Sequence, residues 1–219
     1  MKIGKGAASV KRMYYRAMYY TVGIIIMTLG IALTIQSALG TSPFDALLVG
    51  LHRTFGLTIG SWEIVVGFSM IVFNAVAERR RPELLALATS LLTGIGIDFW
   101  VFTIRDTIHP DVFWSQMVCL LAGMIIAGFG IAFNLQADFA PNPFDRMMLV
   151  VSKMTGWNVS ISRALISILL VLLAFFFGGA IGIGTVIITL ISGPLIQAFM
   201  VQIEKVDRRI QPVTESVHM

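Results

Sequence analysis

Charge is what this sequence has least of. Only 13% of its 219 residues are Asp, Glu, Lys or Arg, about half of what a water-soluble domain needs to cover its surface. No polar segment is long enough to form a second domain. Cysteine is represented by Cys119 alone, so an internal disulfide is excluded, and no CxxC or His/Cys spacing suggests a metal. The three histidines, His52, His109 and His218, lie too far apart to suggest a shared site. There is no HExxH and no paired nucleophile and base, so the sequence reads as a non-enzyme without a cofactor. The net charge of +4 does not indicate nucleic acid, because the basic residues sit at the ends of apolar runs.

What is present is apolar: 57% hydrophobic residues and a mean hydropathy of +0.85. Runs of roughly 20 such residues cross a bilayer at 1.5 Å rise per residue. Six are expected, at Tyr15–Ser37, Gly60–Ala77, Glu83–Arg105, Trp114–Gln136, Ser160–Phe177 and Gly184–Ile203. The basic, then aromatic start up to Tyr20 has no small-residue cleavage site after it, so it reads as a retained first span. With a cytoplasmic N-terminus, fourteen Lys and Arg residues fall inside, among them Arg16, Arg79, Arg80, Arg81, Arg146, Lys153, Arg163 and Lys205. Arg53 and Arg105 alone fall outside. Positive charge is retained on the cytoplasmic side, so both termini are expected there, in a bacterial inner membrane.

The chain also repeats itself. At an offset of 100 residues, eleven of the 34 positions from Gly23 to Gly56 recur unchanged, where apolar composition alone gives about four. Gln36/Gln136 and Pro43-Phe44-Asp45/Pro143-Phe144-Asp145 are among them. With one residue deleted, Thr93-Gly94 falls over Ser192-Gly193 and Asp98 over Gln197. The expected fold is thus all-α, a single membrane domain over 1–219. Its repeats span about 15–105 and 114–203, and its cytoplasmic tails 1–14 and 204–219. Three spans per half is an odd number, so the second half should enter from the opposite side, an arrangement shared by many secondary transporters.

Each half places a short segment after its first span, 43–55 and 143–155. Ser42 and Asn142 are N-cap residues, a proline follows at the first helical position, and Asp45 or Asp145 stands at the third. Gly56 and Gly156 stop the helix. Two readings stay open: paired re-entrant half-helices aimed at a central site, or amphipathic helices flat on the interface. For the second, Phe44, Leu47, Leu48, Leu51 and Phe55 supply a stripe, with Arg53 and Lys153 snorkelling. Capping is the simpler role for both aspartates.

Within the spans the polar residues are Gln36, Asn74, Asp98, Asn134, Gln136 and Gln197. Asp98, the carboxylate deepest in an apolar run, is expected to line a polar space and carry a proton or cation dependence. Its plainer reading is an acid bonded to a neighbouring helix. The substrate- or ion-binding candidates are Asp98, Gln197, Gln36, Gln136, Asn134, Asp45 and Asp145. Glu63 and Arg163 occupy equivalent repeat positions but are expected on opposite faces, without pairing. Gly94-Ile95-Gly96 and Ser192-Gly193-Pro194 are expected flexible points. Gly23, Gly30, Gly123 and Gly130 read as close-packing contacts, and 178–185 as a tight outer turn.

Gly40-Thr41-Ser42-Pro43-Phe44-Asp45, Phe55-Gly56-Leu57-Thr58-Ile59-Gly60-Ser61-Trp62, Gly182-Ile183-Gly184-Thr185 and Gly193-Pro194 together resemble the YczE/YyaS/YitT group of bacterial membrane proteins. The resemblance covers nearly the whole chain and is closest to the short YczE-like members. It implies a bacterial inner-membrane protein and carries no substrate or functional residues with it. The leading expectation is a small transporter or permease for a small molecule or ion. The alternative is a non-transporting component that binds a ligand or serves a partner protein. The expected surroundings are lipid, and a homo-oligomer or a partner protein stays open.

Overall fold

A computed structural model describes residues 3–137, 139 and 142–210. It contains eight helices: α1 (Ile3–Gln36), α2 (Pro43–Phe55), α3 (Ile59–Glu78), α4 (Leu84–Ile104), α5 (Phe113–Ala137), α6 (Pro143–Thr155), α7 (Val159–Phe176) and α8 (Ile183–Ile210). Six are long and apolar enough to cross a membrane, within about two residues of the expected bounds, so this is a multi-pass membrane protein. The tail beyond Ile210, with His218, lies outside the described residues, as do Lys2 and the side chains of Lys5, Lys11, Arg12, Arg208 and Arg209.

The two short helices begin and end where the sequence places them. Ser42 accepts the Asp45 N–H, Asn142 accepts the Phe144 N–H, and a proline opens each helix. These acceptors satisfy N–H groups that no helical carbonyl reaches. Gly56 and Gly156 end the helices at φ 75° and 74°, a conformation that costs glycine nothing.

In lipid no hydrophobic effect drives helices together, so close backbone approach has to hold them. The α1–α5 crossing does this with glycine. A Cβ at Gly30 would lie 2.2 Å from the Ala127 nitrogen, and one at Gly130 2.2 Å from the Met27 nitrogen. Gly23 meets Gly130 and Asn134 while Gly30 meets Gly123 and Ala127, so the two helices run antiparallel. Each contact is the other's image under the 100-residue offset.

The remaining packing repeats in the same way. α1 meets α4 as α5 meets α8; α2 meets α7 as α6 meets α3; α2 meets α3 as α6 meets α7. One pair has no counterpart. α3 packs along α4, whereas α7 and α8 barely touch.

The connections sort onto the two ends of the bundle. At one end Arg146 pairs with Glu78 and Glu83, and Lys153 with Glu78. At the other, Gln36 donates to the Ile108 carbonyl, and Arg53 and Thr54 donate to the Gly178 and Phe177 carbonyls. The Gly178–Gly182 segment is the expected turn, pressed against α2 and Leu39. Of the two readings of the short helices, the flat one does not suit α2. Pro43 and every residue from Asp45 to Leu51 are buried, whereas a helix on the interface keeps a polar face in water. α6 is less enclosed, burying Pro143, Met148 and Val150.

Candidate functional site

A cavity of ≈ 440 Å³ lies where the two halves meet. Its wall is built largely from repeat-equivalent pairs: Ile31/Ile131, Thr34/Asn134, Ser42/Asn142, Phe44/Phe144, Asp45/Asp145, Glu63/Arg163 and Thr93/Ser192. A cavity on one side of a repeat would be lined by one member of each pair. This one therefore lies between the two halves. Phe44 and Phe144 meet at its wall with ring centroids 5.9 Å apart. A second pocket between α3, α4 and α6 holds only ≈ 50 Å³, too little for a substrate.

The first turns of α2 and α6 open into the cavity, so two positive helix ends point at it. Asp45 is fixed there by Ser42, whose Oγ donates to Asp45 Oδ2 at 2.6 Å and accepts the Asp45 N–H at 3.2 Å. Glu63, on the second turn of α3, is 2% exposed and within electrostatic reach of Asp45. No hydrogen bond or ion pair ties it to another described residue. Across the cavity, Arg163 acts on Asp145 in the same way with opposite sign. Thr93 Oγ1 and Asn134 Nδ2 are buried without a protein partner. Native proteins rarely leave such groups unmatched, so both are available to an occupant.

Of the residues singled out in the sequence, Asp45, Asp145 and Asn134 line the cavity and the other four do not. Asp98 accepts the Gly60 N–H at 2.7 Å, which matches its plainer reading as an acid bonded to a neighbouring helix. Gln36 donates to the Ile108 carbonyl at 2.6 Å. Gln136 lies half-buried outside the wall, and Gln197 is exposed on α8. Glu63 and Arg163 do not pair, as expected, yet both reach the same cavity. Each stands near the start of the helix that follows a short helix, α3 or α7. The signal in the sequence was the opposite charge at equivalent positions, 63 and 163.

Residues 14–201 match a family described as a family of unknown function, DUF6198. The chain is 44% identical over 188 residues to the uncharacterized protein YyaS of Bacillus subtilis, covering 86% of this chain and 94% of that one. It is 31% identical over 180 residues to the uncharacterized membrane protein YczE of the same organism, covering 82% of each. An uncharacterized protein of Haemophilus influenzae is 28% identical over 193 residues, with 85% and 86% covered. No solved structure matches.

Proposed function

The chain belongs to the DUF6198 family, and we propose that it is a small secondary transporter of the bacterial inner membrane, with its substrate site in the central cavity. The observation that carries this reading is the cavity wall. Equivalent residues of both halves line one space, and the helices that flank it are packed in one half and parted in the other. Antiparallel packing of α1 on α5 supports an inverted repeat. In such repeats, alternation means that each half takes up the conformation of the other around a fixed site. α2 and α6 are then half-helices of about 20 Å meeting near the midplane.

In this reading the gate at Gly60 and Gly94 is shut. A Cβ on Gly60 would lie 2.0 Å from the Gly94 carbonyl oxygen. The equivalent gate, Ser160 and Gly193, stands open, with nothing within 4 Å of a Cβ on Gly193. The open gate lies at the end that carries Arg79–Arg81, the cytoplasmic end by the positive-inside rule. Reporter fusions after Arg81 and after Gln211 should both read cytoplasmic.

The deciding experiment uses single cysteines at Thr93 and at Ser192 in a Cys119→Ser background. Each is treated with an impermeant thiol reagent on right-side-out and inside-out vesicles. A transporter exposes both positions from the cytoplasmic side in one state and both from the opposite side in the other, with proportions that shift on adding substrate. A non-transporting ligand-binding or accessory component would expose both positions from one side only, and that outcome would overturn the transporter reading.

A further inference from the structure

The cavity's electrostatics point to the class of its occupant. Among the described residues, three carboxyl side chains, Asp45, Glu63 and Asp145, share the wall with one guanidinium, Arg163. Two helix N-termini add roughly half a positive charge each. With all four side chains ionised, about one negative charge is left without compensation.

That charge belongs to Glu63. Asp45 is held by Ser42 and the start of α2. Asp145 faces Arg163 and the start of α6. Asp98, on α4, is engaged by the Gly60 N–H, and none of the cavity residues from α1, α4, α5 or α8 is charged. Glu63 is buried to 2% exposure with no bonded partner among the described residues. A charge in that position needs a counterion or a proton. Independently, the Thr93 hydroxyl on the same cavity wall, on a residue also 2% exposed, has no partner among the described residues and is free to accept or donate.

Resting on the transporter reading above, we propose that the cavity binds a lipophilic organic monocation, which competes with a single proton for the Glu63 carboxylate. The rest of the wall fits such an ion. Phe44 and Phe144 bring two aromatic rings to the wall, a residue type that attracts cations, and Met27, Ile31, Met124 and Ile131 supply apolar surface. A bare metal ion fits poorly, since among the described residues no three His, Cys, Asp or Glu side chains gather to hold one. A zwitterion would need Arg163, which already faces Asp145. The parted α7 and α8 leave the cavity wall at Gly193 uncovered, which is the route by which the ion enters through the open gate.

Tetraphenylphosphonium serves as the probe, with the full chain in detergent and binding followed by titration calorimetry. In weak buffer, about one proton should be released per cation bound, and affinity should weaken as pH falls. Glu63→Gln should weaken binding by ~10-fold or more and abolish the proton release, and Glu63→Asp should restore the release. If Glu63→Gln does not fold, the wild-type measurement decides alone: binding without proton release, or no binding, overturns the proposal. So does a folded Glu63→Gln protein that still releases the proton. Binding with proton release but no movement in proteoliposomes would sink the transporter reading and leave the cation site standing. Transport of a neutral solute that tetraphenylphosphonium does not inhibit would do the reverse.

Discussion

The α3–α4 pair and the α7–α8 pair descend from the same stretch of repeat, yet one is packed and the other splayed. Gly60 and Gly94 touch through their backbones, and Gly67 would bring a Cβ to 2.4 Å from Ser90 Oγ. At the equivalent positions 160, 193, 167 and 189 stand Ser, Gly, Ser and Thr. Ser167 and Thr189 both turn to the cavity, and Gly193 faces open space. The difference lies partly in side-chain bulk, which sets how close each pair can come. In the proposed alternation it also lies in the state of the molecule, because Gly193 retains a contact residue's identity with no contact to make. A glycine in a helix interior costs about 0.8–1 kcal/mol against alanine, a cost best explained by packing in a second conformation.

The comparison breaks first, and hardest, at the glycines. Gly94→Val places a Cβ 2.4 Å from the Gly60 carbonyl oxygen, a backbone atom that cannot move aside cheaply. The expected loss exceeds ~3 kcal/mol and shows as failure to accumulate in the membrane. A Cβ at Gly193 meets no atom within 4 Å, so with Gly193→Val thermal stability in detergent should fall by less than ~1 kcal/mol while transport is lost. Equal damage to folding from both substitutions would mean that the two pairs do not differ as described.

Next comes closure of the open pair. In a Cys119→Ser background, Ser167→Cys with Thr189→Cys occupies the positions where Gly67 and Ser90 now touch. Oxidation should cross-link the pair on gel mobility and stop transport, with reduction restoring it. Disulfides need Cβ atoms about 3.5–4.5 Å apart, so absence of any cross-link under oxidant would leave the second gate permanently open and end the alternation argument.

Much of this fold was legible in the sequence. Hydropathy located the six spans, and cap chemistry placed both ends of α2 and α6 because Ser42, Pro43, Gly56 and their counterparts act within one turn. The site was legible in part. Asp45, Asp145 and Asn134 stood out as polar residues near repeat motifs. Glu63 did not, because counting residues from a membrane edge places it at one face. What brings it to Arg163's cavity is burial of the short helices, which depends on contacts between α2 and α7 that no local pattern encodes. The α3–α4 asymmetry was also hidden, since Gly94 and Gly193 are the same residue.

A smaller effect should separate the tethers of the short helices. α2 is buried from Asp45 to Leu51, and its exposed Arg53 donates to the Gly178 carbonyl. α6 is tied by charge, with Arg146 2.6 Å from Glu78 and side chains 21% and 13% exposed. Arg146→Ala should lower stability by about 1.5–3 kcal/mol, Lys153→Ala by under ~1 kcal/mol because its side chain is 66% exposed. A thermal-melt series with Glu78→Gln as the shared background tests this: both effects should shrink there. Undiminished losses would show that packing, not charge, holds α6.

The smallest effect belongs to Asp98, the residue most conspicuous in the sequence. Its Oδ1 accepts the N–H of Gly60 at 2.7 Å, while Thr58 Oγ1 accepts that of Ser61 at 3.0 Å. Two orphan donors at the start of α3 are thus satisfied, one from within the helix and one from α4. At the start of α7, Asn158 caps Ile161 at 2.8 Å, and Gln197, the counterpart of Asp98, is exposed. The cross-helix cap therefore exists only where the helices are packed, as a tether of the shut gate. Asp98→Asn keeps the accepting oxygen and should cost at most ~0.5 kcal/mol, whereas Asp98→Leu removes it and should cost about 1 kcal/mol. Proton release on tetraphenylphosphonium binding should be unchanged in Asp98→Asn. If release disappears in that variant but persists in Glu63→Gln, the titrating carboxylate is on α4, and the division between a tethering acid and a binding acid is wrong.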